Sequence, residues 1–269
     1  MKRIFKKAFC VFMVAAIAIS VAGCGSGGTM KRIEKSGKLV LGTSADYAPF
    51  EYHTLIDGKD TIVGLDISIA QEIAKDLGVQ LEIEDSAFEG LLATLNTGKV
   101  DIVISGMNPE PDRLEAADFS KIYYEAKQAV LVRAEDKDKI KTIADLDGKQ
   151  VGVQLGTTQE KFAKAQMKGS NLVSLSKIPD LVMELKNKKV DALVVELPVA
   201  NGYVKNNNDL ALSDIVVKEE SGGVAIAVAK SNSDLVKQID KTIDRLIADG
   251  SIEKFVQEAN EKNVTKEAK

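Results

Sequence analysis

Two short segments 90 residues apart are nearly the same, and this echo constrains the fold more than any single motif. "GKVDIVISG" (98–106) recurs as "KKVDALVVE" (188–196), and the match extends upstream, "LLATLNTGKVD" against "LVMELKNKKVD". In each copy a leucine, Leu95 or Leu185, precedes a polar stretch, then Val-Asp, then an apolar run. Either two unrelated helix–strand units drew on common residues, or the chain is built from two similar lobes. The rest of the sequence favours the second.

The first lobe opens with "KLVLGTS" (38–44), a β-rich run that feeds a polar loop. "LDISIAQEIAKDLG" (65–78) sets Leu65, Ile69, Ile73 and Leu77 on one helical face, closed by Gly78. "VQLEIED" alternates as a strand, "FEGLLATLNTG" is a second amphipathic helix, and "VDIVIS" is a strand again. This strand–helix rhythm predicts a parallel, helix-covered sheet. "EAKQAVLVRAED" (125–136) reads as a single longer strand, and a second cycle starts after it: "KQVGVQ", "NLVSL" and "VDALVV" as strands, "TTQEKFAKAQM", "PDLVMELKNKK" and "LPVANGYVKNN" as helices. "GGVAIAVAK" (222–230) returns as a strand, and helices over about 233–248 and 251–260 pack back on the first lobe. The chain must then cross between lobes twice, near 125–128 and 219–223. Ligands of open α/β sheets sit at the carboxyl ends of strands. The echo strands end in "SGMN" (105–108) and "VELP" (195–198), which would face each other across a cleft.

The start of the chain is a targeting signal. Lys2, Arg3, Lys6 and Lys7 precede the uncharged "AFCVFMVAAIAISVAG". That run is shorter than the roughly 18–20 residues a spanning helix needs. It ends in "VAGC", which resembles the lipobox of bacterial lipoproteins; the resemblance implies cleavage after residue 23 and a lipid on Cys24. "GSGGT" (25–29) follows as a tether. The only other cysteine, Cys10, lies in the signal, so the mature chain has no disulfide option. Loss of the signal's four basic residues takes the balance from 36 basic against 40 acidic to 32 against 40, net −8. An acidic chain of this kind is a poor candidate for nucleic-acid binding.

Enzyme chemistry is narrowed by what is missing. The one histidine, His53, reads as a loop side chain, and no His/Cys metal set can be assembled. No G-x-S-x-G elbow or P-loop occurs. A carboxylate pair for acid–base work stays open.

Six segments then fall into a familiar order: "GTSADYAPFEY", "IVGLDISIAQEIAKDLG", "VDIVISGMNPEPDR", "DFSKIYYEAKQAVLV", "DLDGKQVGVQLGTTQE" and "ALVVELPVA". Over roughly residues 38–260 the chain resembles the bacterial extracellular solute-binding proteins of family 3, the polar-amino-acid receptors of ABC importers. The resemblance implies a type II periplasmic-binding-protein-like α/β fold, with two helix-covered parallel-type sheets, two hinge strands and a ligand cleft between lobes. It divides the chain into a signal (1–23), the lipidated Cys24 and tether (24–37), lobe 1 (38–125 plus 222–269) and lobe 2 (126–221). It implies that Arg113 pairs with the ligand α-carboxylate, helped by Thr157 and Thr158 at a helix start, a role that suits a guanidinium fork and a helix N-terminus. Glu196 stands where many members carry Asp and would meet the α-ammonium. Gly106 and Asn108 fall where the family often has small hydroxyl residues, Gly106 offering only backbone groups and Asn108 an amide, and Ser105 is adjacent to them. Tyr47 and Phe88 match the positions that sandwich the ligand side chain; two aromatic faces around a cation contribute roughly 0.5–2 kcal/mol per contact. Asp46, Glu51 and Glu89 lie in the same segments, whereas Ser44 stands where basic-amino-acid binders can have Asp. The expected ligand is arginine or another cationic L-amino acid, with glutamine as the alternative. The implied partners are an ABC permease with its ATPase and, through Cys24, the outer face of the cell membrane. The expected receptor is a monomer with no cofactor and no metal. Two other classes share the fold: cyclohexadienyl-dehydratase-like enzymes, and sensor lobes that precede a kinase. A free-standing receptor is the expectation.

Overall fold

The computed structural model describes residues 28–125, 127–217 and 222–263. The signal, Cys24, the first part of the tether, Ala126 and 218–221 in the two crossings, and the last six residues of lobe 1 lie outside the described residues.

Helix α1 (Gly28–Ser36) leads into β1 (Lys38–Thr43), followed by a small meander of β2 (Asp46–Tyr47), β3 (Glu51–Ile56) and β4 (Lys59–Val63). Then come α2 (Leu65–Asp76), β5 (Gln80–Asp85), a 3-10 turn at Phe88–Gly90, α3 (Leu91–Asn96), β6 (Ile102–Val103), α4 (Pro111–Ala116) and β7 (Ala117–Tyr124). The second unit runs β8 (Gln128–Arg133), β9 (Gln150–Gln154), α5 (Thr158–Gln166), β10 (Asn171–Leu175), α6 (Ile178–Lys186), β11 (Ala192–Glu196), α7 (Leu197–Asn206) and β12 (Leu210–Leu212). The chain closes with β13 (Val224–Ala229), α8 (Ser233–Ala248) and α9 (Ser251–Lys262).

Two five-stranded sheets result, ordered β5-β1-β6-β13-β7 and β10-β9-β11-β8-β12. They have the same plan. In each, one strand (β1 or β9) pairs in parallel with a second (β5 or β10) and a third (β6 or β11). A strand arriving from the other side of a crossing is then inserted antiparallel beside the third. The expected parallel order therefore holds for three strands of each sheet, and both sheets are mixed because the crossing strands enter from the opposite direction.

The echo strands β6 and β11 hold the same central place in their sheets, and their aspartates do the same work. Asp101 N donates to Val40 O at 2.8 Å, and Asp101 Oδ2 accepts from Val40 N at 2.8 Å. Asp191 N donates to Gln150 O at 2.7 Å, and Asp191 Oδ2 accepts from Gln150 N at 3.0 Å. Each carboxylate also takes an arginine, Arg32 at 2.6 Å and Arg133 at 3.1 Å. The repeated Val-Asp ties the neighbouring strand to the third strand at the end away from the cleft.

Helix α2 buries Leu65, Ile69 and Ile73 together with Ile67, Ala70 and Ala74. Full burial of each large aliphatic side chain contributes about 1.5–3 kcal/mol. The helix ends at Asp76, and Gly78 takes the left-handed conformation two residues on (φ 69°). Helix α8 packs on the first unit through Leu235, Ile239, Ile243 and Leu246, with Thr242 Oγ1 donating to Asp76 at 2.8 Å.

Two expectations are corrected. The tether placed over 24–37 does not reach that far: residues 28–36 are helical, because Ile33 is buried in the first core and Arg32 reaches Asp101. The single long strand over 125–136 is shorter, since β8 begins at Gln128 and a 3-10 turn takes Ala134–Asp136.

Candidate functional site

The carboxyl ends of the central strands converge where the two units meet. After β6 the chain turns through Ser105 and Gly106, whose positive φ of 53° leaves its Cα facing the Tyr47 ring; an added Cβ would stand 3.3 Å from that ring. From the second unit, β9 ends at Gln154 and delivers Gly156 and the start of α5. Eight of the nine expected residues line one cleft here: Tyr47, Phe88, Ser105, Gly106, Asn108, Arg113, Thr157 and Thr158. Ser44, Asp46 and Glu51 join them, as do Gln154 and Gln159. The space is about 290 Å³.

Glu196, the ninth, is buried next to the lining: its backbone N–H donates to Tyr47 Oη at 3.0 Å. Glu89 does not line the cleft; it accepts from Ser176 Oγ at 2.7 Å. His53 lies on the meander, with Asp60 at 2.9 Å and Asp85 at 3.3 Å. Burial opposes its charging, but hydrogen bonds to Asp85 and Asp60 outweigh that and raise its pKa.

One part of the cleft is built for an anion. Arg113 is buried in α4, donates Nη1 to Asn108 O at 2.9 Å and Nη2 to Gly156 O at 2.8 Å, and stands 5.3 Å from the Phe88 ring centre. Phe88 thus faces Arg113, a contact the aromatic-sandwich expectation did not include. Thr157 caps the start of helix α5: its Oγ1 accepts from Glu160 N at 3.2 Å and donates to Gln154 O at 2.7 Å. Thr158 Oγ1 donates to Asn108 Oδ1 at 3.3 Å and accepts from Gln128 Nε2 at 3.2 Å. Unused N–H groups and the dipole at a helix start favour negative charge.

Another part collects buried acids. Ser105 Oγ donates to Glu51 Oε1 at 2.7 Å and accepts from Ser44 N at 3.0 Å. Behind them, Asp66 accepts from Gly106 N and from Tyr123 Oη, each at 2.8 Å. Asp46 accepts from Ile178 N across the cleft at 3.1 Å. Burial pushes Asp46 up to about 6, against the pull of the Ile178 amide and Lys177. Burial pushes Asp66 up to about 6 as well, against the Gly106 amide and Tyr123 hydroxyl. Glu51 goes well above the ordinary carboxylate range, first by burial and then by the charge of Asp66. Tyr47, stacked on Phe50 with ring centres 5.8 Å apart, is raised by burial and by Glu196.

Sequence reading missed Gln154, Gln159 and Asp66. The strand-end rule points to Gln154. Asp66 carries a different signal, an acidic residue among the apolar positions that open α2. No helix among the described residues is long and apolar enough to cross a membrane.

Two α/β units of one plan, joined by crossings, with a polar buried cleft at the facing strand ends, define a two-lobed binding fold of the periplasmic type II class. The family model of the bacterial extracellular solute-binding proteins, family 3, matches residues 39–260, and the chain belongs to that family. It is 38% identical over 255 residues to the arginine-binding extracellular protein ArtP of Bacillus subtilis (strain 168), covering 93% of this chain and 96% of that protein. It superposes on a Streptococcus pneumoniae amino acid ABC transporter substrate-binding protein, AbpA, bound to L-arginine, with TM-score 0.86 and 40% identity over 88% of this chain and all of that one. It is also similar, at TM-score 0.78 and 33% identity over 86% of this chain and 99% of the other, to the ancestral amino acid-binding protein AncCDT-1, a precursor of cyclohexadienyl dehydratase. The family places the chain outside the cytoplasm.

Proposed function

We propose that this chain is the substrate-binding component of an amino-acid ABC importer and closes its lobes on a free L-amino acid with a cationic side chain, arginine first. The observation that carries the reading is the polarity of the cleft: a buried guanidinium and a helix start in one part, a cluster of carboxyls withdrawn from solvent in another. An amino acid with a cationic side chain has one negative and two positive groups, and this arrangement complements it. The α-carboxylate would lie against Arg113 and the start of α5 at Thr157 and Thr158. Glu196 would serve the α-ammonium, with Ser105, Gly106 and Asn108 as polar neighbours, and Tyr47 and Phe88 would flank the side chain. ArtP and the arginine-bound AbpA lend the same direction.

The reading includes lobes of 38–125 plus 222–269 and of 126–221, hinged at the crossings, and a monomer that delivers its ligand to a permease driven by an ATPase. Lipid on Cys24 would hold it at the outer face of the membrane. Binding without turnover is part of the proposal.

The test is the melting temperature of ligand-stripped protein against each common L-amino acid. Ligand at a hundred times its Kd stabilises by about 2.7 kcal/mol, a rise of roughly 5–10 °C for a chain of this size. A rise with arginine and lysine is the expected result. A rise with glutamine or other neutral amino acids alone overturns the cationic side chain. No rise with any amino acid, joined to turnover of arogenate or prephenate, overturns the receptor in favour of the chemistry reached from AncCDT-1.

A further inference from the structure

A relay of buried side-chain hydrogen bonds runs from one crossing to the other through the cleft. Gln128 opens β8, where the first crossing enters the second unit. Its backbone lies between Glu196 of β11 and Val217, which leads into the second crossing. Gln128 Nε2 donates to Thr158 Oγ1 at 3.2 Å. Thr158 Oγ1 donates to Asn108 Oδ1 in the other unit at 3.3 Å. Asn108 Nδ2 in turn donates to Gly223 O at 3.1 Å, where the second crossing re-enters the first unit. At that point the crossings touch, since a Cβ added to Gly223 would run into Tyr124 O. Gln128, Thr158 and Asn108 are 8%, 6% and 3% exposed. Thr158 and Asn108 line the cleft, and Gln128 does not.

The middle of the relay has two settings. The Thr158 hydroxyl has one proton and two acceptors at the same 3.3 Å, Asn108 Oδ1 in the other unit and Gln159 Oε1 beside it in α5. When the units part, only Gln159 stays within reach. The Gln128 amide belongs to the same unit as Thr158 and occupies a lone pair of the hydroxyl oxygen in either setting, which keeps the proton pointed away from β8. We propose that Gln128 is a positioning residue for closure: it orients Thr158 so that the hydroxyl proton passes to Asn108 as the units meet, and Asn108, held at both ends, fixes Gly223 and with it the second crossing. The proposal rests on the reading of the cleft as an amino-acid site and deepens it. Gln128 acts on the lifetime of the closed complex and not on the choice of side chain, because Thr158 stands at the α-carboxylate, which every amino acid presents.

The experiment measures Kd and koff of radiolabelled L-arginine and L-glutamine on the ligand-stripped protein, with kon taken from their ratio. Gln128→Met removes the donor at nearly the same volume. It should raise koff about three- to tenfold for both ligands, the contribution of one hydrogen bond. It should leave kon within about twofold, because the ligand meets the open form first. Gln128→Asn keeps an amide but falls a methylene short of Thr158, and should show the same loss. The Thr158→Val background isolates the bond, since it lacks the hydroxyl and keeps the backbone N–H. In that background Gln128→Met should add less than about twofold. A full further loss there means that Gln128 works through another group and overturns the proposal. A Gln128→Asn variant that matches the parent while Gln128→Met does not, or a loss confined to one of the two ligands, overturns it as well. An unchanged koff in the folded variants, or a loss carried by kon, overturns the proposal and leaves the receptor reading intact. If the parent binds no amino acid, the receptor reading falls and the proposal with it.

Discussion

The Arg113 guanidinium joins the two units, since one of its hydrogen bonds goes to Asn108 O in the first and the other to Gly156 O in the second. Under the proposed function it would also meet the α-carboxylate, so truncation removes both the charge and the bridge. Removing one partner of a buried charge pair costs about 2–5 kcal/mol. Arg113→Ala should therefore weaken arginine binding more than a hundredfold by calorimetry, and Arg113→Lys should recover little, because an ammonium lacks the planar fork. A change of under fivefold in Arg113→Ala would remove this residue from the site. The carboxyls across the cleft set a second expectation, for stability without ligand. Asp46 and Asp66 are raised to about 6 and Glu51 is raised further, so between about pH 4 and 6 the native state holds more protons than the unfolded state. Stability then falls as pH rises through that window. For the fully buried Asp66 the loss is about 3 kcal/mol, each pKa unit being 1.36 kcal/mol. Carboxylates held low, such as Asp112 by Lys161 and Glu72 by Lys75, stabilise the fold above about pH 4 and lose that contribution only below it, so they add no slope in this window. The ligand-free protein should melt several degrees higher near pH 5 than at pH 7, and a melting point that climbs over that interval would contradict the burial of these charges.

At the scale of the element, the echo holds one pair of positions that the sequence writes differently. Gly98 closes α3 with φ 72°, and Lys188 closes α6 with φ 62° at the equivalent place. The left-handed conformation costs a residue with a Cβ about 1–2 kcal/mol, whereas glycine carries an extra chain-entropy cost of roughly 0.5–1 kcal/mol. The Lys188–Glu135 ion pair is exposed on both sides and contributes little. Lys188→Gly should thus stabilise the protein by about 0.5–1 kcal/mol in a urea melt, and a loss of stability would show that the ion pair outweighs the strain. The same echo explains how much of the fold was legible. A strand, a helix and a strand leave periodic apolar faces, and those faces gave the cycle, the two sheets and the place of β6 and β11. The meander of β2, β3 and β4 left no such mark, because Leu55 and Ile56 point to solvent and its strands do not alternate. Direction within a sheet was also illegible: β8 and β13 run antiparallel to their neighbours because of where the crossings enter, which no local pattern records. In the cleft, the residues that follow β6 were found, whereas Gln154 at the end of β9 was missed although it obeys the same strand-end rule. Asp66 was missed because it reaches the site from the first turn of a helix whose apolar face speaks for the core.

For the whole molecule, the question is what holds the lobes together around the cleft. Several hydrogen bonds pass directly between units: Asp46 to the start of α6, Glu89 to Ser176, Tyr47 to Glu196. At the rim, Lys161 of α5 reaches Glu110 at 2.9 Å and Asp112 at 2.6 Å, beside the start of α4. Lys161 does not line the cleft, so it acts on closure and not on the choice of ligand. Half-exposed pairs of this kind contribute about 0.2–1 kcal/mol each and weaken with salt. Any ligand that binds only the closed form gains that energy in full, because its apparent affinity scales with the population of the competent state. Lys161→Ala should accordingly raise the Kd of every ligand by the same factor, about two- to fivefold, leave the ratio between arginine and glutamine unchanged, and enlarge the radius of gyration of the ligand-free protein in X-ray scattering. Salt at about 0.5 M should produce the same uniform loss in the parent and little further loss in the variant, since the charges it screens are already gone. A change in the arginine-to-glutamine ratio would instead mean that the rim reaches the ligand, and an unchanged Kd would mean that closure is held by the direct hydrogen bonds between the units, without the rim.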